Sequence, residues 1–189
     1  IVTYAQLDAR SKQGAHLLRS LGVRRGDGIA LMLENDARFF EIVWAAQRAG
    51  LYYTCISTRL AAPEIAFIIA DSGSRVLIAS APVSPEIAVT GIEVFAPGSR
   101  DFVAERMAFP ETPIDDEAPG IDMLYSSGTT GRPKGIRPPL PEGSLDQTNS
   151  LTEFGQTSYG MAADTVFLSP APLYHSAPLR WCMTVQKLG

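Results

Sequence analysis

The chain has 189 residues, of which 46% are hydrophobic and 19% are charged, so it can bury a core of ordinary size. Its formal net charge of −4, with no clustered run of lysine and arginine, argues against a nucleic-acid-binding protein. No apolar run reaches the roughly 18 residues that span a bilayer, and no signal-peptide pattern opens the chain, so we expect a cytoplasmic protein without a transmembrane segment.

The first 80 residues alternate between helical and strand patterns. Thr3 and Gln6 have the spacing of a capping box, and Asn35 or Asp36 is expected to cap the second helix. The predicted elements are a helix at 5–21, a strand at 29–33, a helix at 37–49, a strand at 52–57, a helix from about Pro63 to before Gly73, and a strand at 75–80. This alternation is typical of an α/β fold with a largely parallel sheet and flanking helices.

The second half has a weaker pattern. The predicted elements are a strand at 93–95, a helix near 101–107, an exposed acidic linker at 110–120, a strand at 121–126, a helix at 145–161, a strand at 165–169, and an amphipathic stretch from Leu179. The four linker carboxylates are read as solvated rather than metal-binding, since prolines surround them and histidine is absent. The two cysteines, Cys55 and Cys182, are predicted to be buried and reduced.

The predicted strand at 121–126 runs directly into the stretch YSSGTTGRPKG, which begins at Tyr125. Its glycines permit positive φ and let backbone N–H groups converge on an anion, while its hydroxyl groups and one lysine add donors that suit a polyphosphate. A nucleotide P-loop of the Walker type does not fit, because the fifth residue after Gly128 is Pro133 and Lys134 is followed by Gly135. A flexible glycine-rich connector is the structural alternative.

YSSGTTGRPKG resembles the phosphate-binding signature of the adenylate-forming (AMP-binding) enzymes, which include acyl-CoA synthetases, luciferases and peptide-synthetase adenylation domains. The stretches TYAQLDARS, GVRRGDGIALMLENDARFFEIVWAAQRAG and RLAAPEIAFIIADSGSRVLIAS upstream, and PLYHSAPL downstream, resemble the same family in the same order. The resemblance implies that residues 1–189 form the first part of the family's large N-terminal domain, without the C-terminal lid domain. Later family elements are absent from this sequence, so we expect the chain alone to be inactive.

The resemblance implies ATP-dependent activation of a carboxylic acid to an acyl adenylate, followed by transfer to coenzyme A, with Mg²⁺ beside the phosphates. By position in the motif, the implied phosphate-binding residues are Ser126, Ser127, Gly128, Thr129, Thr130, Gly131 and Lys134. Thr130 and Lys134 are the implied catalytic residues, since they would neutralise charge on the departing pyrophosphate. One departure from the family is a cluster of prolines soon after Gly135, so any strand there must be short.

The segment around Tyr174 and His175 bears on the choice of acid. Acyl-CoA synthetases typically carry an aromatic residue followed by histidine there, whereas amino-acid-activating relatives carry an aspartate. The absence of a carboxylate favours an uncharged, fatty acyl tail, because a buried unpaired ammonium would be costly. Trp181, with Leu179 and Met183, is implied to line the acyl pocket, and ordinary core packing of these side chains is an equally good interpretation.

Two other functions remain open on the sequence. The chain could be a non-catalytic nucleotide-binding or regulatory module, or part of an adenylation domain for a different acid. The expected partners are small molecules, namely ATP, a carboxylic acid and coenzyme A, with no nucleic acid and with a homodimer as a further possibility. A role in fatty-acid and lipid metabolism follows from the resemblance alone.

Overall fold

The computed structural model describes residues 1–87, 91–126 and 133–189. The strands are β1 (Gly28–Met32), β2 (Tyr52–Cys55), β3 (Ser74–Ala79), β4 (Glu93–Phe95), β5 (Ile121–Asp122), β6 (Leu124–Ser126) and β7 (Lys134–Ile136). The helices are α1 (Tyr4–Ser20), α2 (Ala37–Arg48), α3 (Ala62–Ser72), α4 (Phe102–Arg106), α5 (Ser150–Tyr159) and α6 (Ser176–Leu188), with a 3₁₀ turn at Pro85–Ile87.

Five strands form one parallel sheet in the order β4-β3-β1-β2-β5. Strand β1 lies at the centre and all five of its residues are buried, which agrees with the continuous apolar run that predicted it. All carboxyl ends of these strands meet at one edge of the sheet, hereafter the carboxyl edge. In open α/β sheets this is the edge at which ligands bind.

The two faces of the sheet bury separate cores. Ile29 and Leu31 face the core formed with α1, α2 and α6, whereas Ala30 and Met32 face the core formed with α3. This alternation follows from the two-residue period of a strand. The predicted α/β class with flanking helices is therefore confirmed.

Local signals explain where the helices begin and end. Thr3 and Gln6 form the predicted capping box of α1, since the Gln6 amide donates to the Thr3 hydroxyl and the Thr3 amide donates to the Gln6 side chain. Asp36, not Asn35, caps α2. Helix α3 ends at Gly73, whose φ of 64° is the left-handed conformation that glycine adopts without strain.

An ionic cluster joins α1, α2 and α4. The carboxylate of Glu41, 3% exposed, accepts hydrogen bonds from Arg10 at 2.7 Å and from Arg106 at 2.9 Å. Arg106 also donates to the side chain of Gln13 at 2.7 Å. Because both Glu41 and Arg106 are buried, each depends on the other for compensation of its charge.

Several predicted elements differ from the structure. The single strand expected at 121–126 is two strands, because β5 pairs with β2 and β6 turns away to pair with β7. The helix expected at 145–161 begins only after its cap Asn149. The strand expected at 165–169 is absent, since the Thr165 amide is used in a turn to the Ala162 carbonyl, and Val166 is exposed.

The acidic linker is more ordered than a solvated loop. Ile114 anchors it in the core, Asp116 pairs with Arg19 at 3.0 Å, and Glu117 accepts from Arg48 at 2.7 Å. The Arg19 guanidinium holds the pKa of Asp116 below its ordinary value. The linker therefore ties α1 and α2 to the start of β5.

Candidate functional site

The two ends of the predicted phosphate loop are joined in a hairpin. Strands β6 and β7 are antiparallel, and their register places Ser126 directly opposite Lys134. Both residues are exposed, and Lys134 makes no ion pair with any residue in the described ranges. Five of the predicted phosphate-binding residues lie outside the described residues: Ser127, Gly128, Thr129, Thr130 and Gly131.

The opposite face of the hairpin is fixed by Tyr125. Its hydroxyl donates to Asp71 on α3 at 2.6 Å, and its ring lies over Gly135, the residue paired with it in register. A Cβ at Gly135 would lie 2.7 Å from the Tyr125 ring. Gly135 does not have a positive φ, so its role is to make room for Tyr125, and the sequence-based explanation from backbone freedom is wrong here.

The hairpin follows β5 after one residue, Met123, so it leaves the sheet at the carboxyl edge. Burial and the hydrogen bond to Asp71 raise the pKa of Tyr125 above its ordinary value. The tyrosine therefore stays neutral at physiological pH and can hold the hairpin against α3.

The Tyr174–His175 segment reaches the same edge by a different route. The Asn35 side chain, just after β1, donates to the Ala171 carbonyl at 3.0 Å and accepts from the Leu173 amide at 2.9 Å. In the sheet, β2 lies between β1, which precedes Asn35, and β5, which precedes the hairpin. The distance between β1 and β5 is therefore two strand spacings, or about 10 Å. Asn35 was expected only as a possible helix cap. No local sequence pattern predicts its contact with the backbone of Ala171 and Leu173.

His175 is exposed and is the N-cap residue of α6, but its side chain makes no capping hydrogen bond. Its ring lies 4.3 Å from that of Tyr174, which is half-buried against the core. The pair thus presents an imidazole to solvent beside the start of α6, which is the exposure that the predicted site requires.

Helix α6 borders a cavity of about 760 Å³ at the side of β5 and of the 141–151 segment. Trp181 and Met183 line this cavity, whereas Leu179 is fully buried in the core. The α-helical period of 3.6 residues explains this difference. Cavity-lining residues follow one another at intervals of three or four positions along α6, namely Ala177, Arg180, Trp181 and Thr184. Trp181 also contacts the rings of Phe154 and Tyr159, so it contributes to packing as well.

One charged pair lies in the wall of the cavity. The carboxylate of Asp122, 7% exposed, accepts from Arg180 Nη2 at 2.7 Å and from Nε at 3.1 and 3.2 Å. The hydrogen bonds to Asp122 raise the pKa of Arg180, and burial together with the Asp122 charge raises the pKa of Tyr53. Neither Asp122 nor Arg180 was predicted, although a charged residue at the end of an apolar strand is a usable signal.

A smaller cavity of about 330 Å³ lies at the carboxyl edge between β1, β3 and β4. Its two arginines are engaged, Arg38 with Asp36 and Arg100 with Glu93 and Glu105. Within residues 1–87, 91–126 and 133–189, no group of three histidine, cysteine, aspartate or glutamate side chains is arranged to hold a metal ion.

The family model described as AMP-binding enzyme matches residues 1–188. The chain belongs to this family. Two curated relatives are the long-chain-fatty-acid–CoA ligase FadD13 of Mycobacterium tuberculosis, 34% identical over 94% of this chain, and a feruloyl-CoA synthase of Amycolatopsis, 36% identical over 94% of this chain. The chain spans 36% and 35% of the length of these two AMP-binding relatives.

Solved structures of AMP-binding enzymes show the same fold. A Mycobacterium tuberculosis fatty acyl CoA synthetase superposes with a TM-score of 0.75 at 29% identity, over 100% of this chain and 38% of its own. ATP-bound MatB from Rhodopseudomonas palustris superposes with a TM-score of 0.79 at 26% identity, over 99% of this chain and 38% of its own. In the described part of the chain, no helix combines the length and the apolar character needed to cross a membrane.

Proposed function

We propose that this chain is the part of an acyl-CoA synthetase that grips the phosphates of ATP and receives the acyl group of a carboxylic acid. The observation that carries the proposal is the opposition of Ser126 and Lys134 at the carboxyl edge, in a chain of the AMP-binding family. In the whole enzyme, the acid would be converted to an acyl adenylate and then to a coenzyme A thioester.

Lys134 has the chemistry that the first half-reaction needs. Its exposed ammonium is a mobile point charge, and charge-assisted hydrogen bonds to phosphate are about twice as strong as neutral ones. The Ser126 hydroxyl across the hairpin can donate to the same anion. Pairing of Tyr125 with Asp71 holds this hairpin in place, so the two donors are oriented before ATP arrives.

The remaining motif residues complete this proposal by their position in the sequence. Ser127, Gly128, Thr129, Thr130 and Gly131 would close the loop over the β and γ phosphates, with Thr130 and Lys134 neutralising the charge on pyrophosphate. Mg²⁺ would supply further positive charge when bound with ATP. The described residues contain no group of three carboxylate, histidine or cysteine side chains arranged to hold this ion.

The cavity beside α6 is the proposed acyl pocket. Its wall includes Ile121 and Asp122, which precede the phosphate hairpin, and the first turns of α6, which follow His175. An acid seated there would lie next to the hairpin, so its carboxylate could reach ATP. His175 would then stand at the junction of the acyl pocket and the path taken by coenzyme A.

The two relatives are a long-chain-fatty-acid–CoA ligase and a feruloyl-CoA synthase, which supports acid activation over a purely regulatory module. Several expectations stay predictions. They are the assignment of residues 1–189 to the first part of the large domain, coenzyme A as the acceptor, a cytoplasmic location, a role in fatty-acid metabolism, and a homodimer.

Pyrophosphate exchange tests the proposal. In a full-length ligase that carries this segment, a panel of fatty and aromatic acids should support ATP–pyrophosphate exchange, and coenzyme A should then release AMP. Lack of exchange with every acid in the panel, from a folded protein that binds ATP, would refute activation of fatty and aromatic acids. It would leave the regulatory module and the adenylation domain for a different acid.

A further inference from the structure

The Asp122–Arg180 ion pair in the cavity wall has no role in the proposed formation of the acyl adenylate or in the transfer to coenzyme A. Arg180 directs Nε and Nη2 to Asp122, and no described residue accepts a hydrogen bond from its Nη1. Arg180 lines the cavity and its side chain is 49% exposed, whereas the side chain of Asp122 is almost fully buried. Arg180 is thus held in a fixed orientation by a buried partner, and the N–H groups of its Nη1 are left to bind an occupant of the cavity.

This arrangement disfavours a purely apolar occupant. Covering the free donors of Arg180 with a hydrocarbon chain would remove their water without replacing the hydrogen bonds, which is unfavourable. An oxygen acceptor on the occupant would replace them. Apolar contact is supplied nearby by Trp44, Trp181 and Met183, so the pocket combines an apolar wall with one donor group.

The charge balance favours an uncharged acceptor. Asp122 already neutralises Arg180, and a second carboxylate at the guanidinium would lie beside that of Asp122 and be repelled. Lys187 also lines the cavity, but it lies seven residues further along α6, about 10 Å away, and donates to the Gln147 carbonyl. Its ammonium therefore does not add to the charge at Arg180.

We propose that Arg180, held by Asp122, is a specificity-determining residue that selects acids whose acyl group carries a distal, uncharged oxygen, such as a hydroxyl or carbonyl group. This inference rests on the proposed function in placing the acyl group in this cavity. It goes beyond that function by naming the substrate class and the residue that selects it.

Binding can be measured without catalysis, because the only two tryptophans of the chain, Trp44 and Trp181, both line the cavity. Intrinsic fluorescence of the chain is titrated with straight-chain acids and with ω-hydroxy acids of equal length. The hydroxy acid should bind about tenfold more tightly at the length that reaches Arg180, the effect of one hydrogen bond to a charged group at a half-exposed site.

Arg180→Met keeps the length of the side chain and removes the donors, so the preference should fall to about one. Arg59→Met, which removes an exposed guanidinium away from the cavity, should leave the preference unchanged. The inference is overturned if the two acids bind equally to the unsubstituted chain at every length, if neither binds, if Arg180→Met keeps the preference, or if the α,ω-dicarboxylate binds most tightly.

Failure of the proposed function has a different signature. A full-length ligase that shows no pyrophosphate exchange, while the chain still prefers the hydroxy acid through Arg180, would refute acid activation and leave the binding site intact. Exchange that proceeds with all acids equally, together with equal binding, would refute the specificity role and leave the activation.

Discussion

Loss of the Glu41 charge should be the most damaging single change in the core of α1, α2 and α4. Glu41→Gln keeps the shape of the side chain but leaves the buried guanidinium of Arg106 without a counter-charge. Removing one partner of a buried ion pair costs about 3–5 kcal/mol, and we expect about 3 kcal/mol, because the amide oxygen can still accept one hydrogen bond. Against a usual domain stability of about 5–15 kcal/mol, this is a large fraction.

The assay is urea unfolding of the chain followed by circular dichroism and tryptophan fluorescence. Glu93→Gln is the matched control, since Glu93 pairs with Arg100 at the surface and its loss should cost no more than about 1 kcal/mol. Replacing both buried partners, as Glu41→Leu with Arg106→Met, should recover most of the stability. Equal midpoints for Glu41→Gln and Glu93→Gln, or a double variant less stable than Glu41→Gln, would refute the reasoning.

Two further predictions concern the pKa shifts. The raised pKa of Tyr125 means that its contact with Asp71 stabilises the fold fully below about pH 10, the ordinary value for tyrosine, and is lost as pH rises through the higher folded value. The stability advantage over Tyr125→Phe should therefore shrink only above about pH 10 in denaturant titrations, and a constant difference there would contradict it. Burial raises the pKa of the thiols of Cys55 and Cys182, so both should resist a thiol reagent until urea unfolds the chain, and rapid labelling of either under native conditions would count against the packing described.

The parallel sheet could be predicted because its signals are local. Each element is predicted from neighbouring residues alone. The continuous apolar run predicts β1, the capping box at Thr3 predicts the start of α1, and Gly73 predicts the end of α3. The buried face of a helix is harder to predict. In α2, Phe39 is fully buried in the core, whereas its neighbour Phe40 is only partly buried against it. The face of a helix is decided by its neighbours, which no local pattern names.

The candidate site could be predicted only in part. The motif located Ser126 and Lys134, but their opposition depends on the hairpin. The hairpin in turn depends on a break after Asp122, which the prediction of one continuous strand at 121–126 missed. Contacts such as Asn35 with the 171–173 segment join residues about 136 apart in the sequence. Residue type alone does not predict such pairs, because many partners at that separation are chemically equivalent.

The central claim is that the hairpin binds the phosphates of ATP through Lys134. Calorimetric titration of ATP into a full-length ligase that carries this segment tests it, with Lys12→Gln as the control, since Lys12 lies on α1 and pairs with Asp8. Loss of a charge-assisted hydrogen bond predicts that Lys134→Gln weakens ATP binding by about tenfold or more, while Lys12→Gln leaves it unchanged. Unchanged ATP affinity in a folded Lys134→Gln variant would contradict the account.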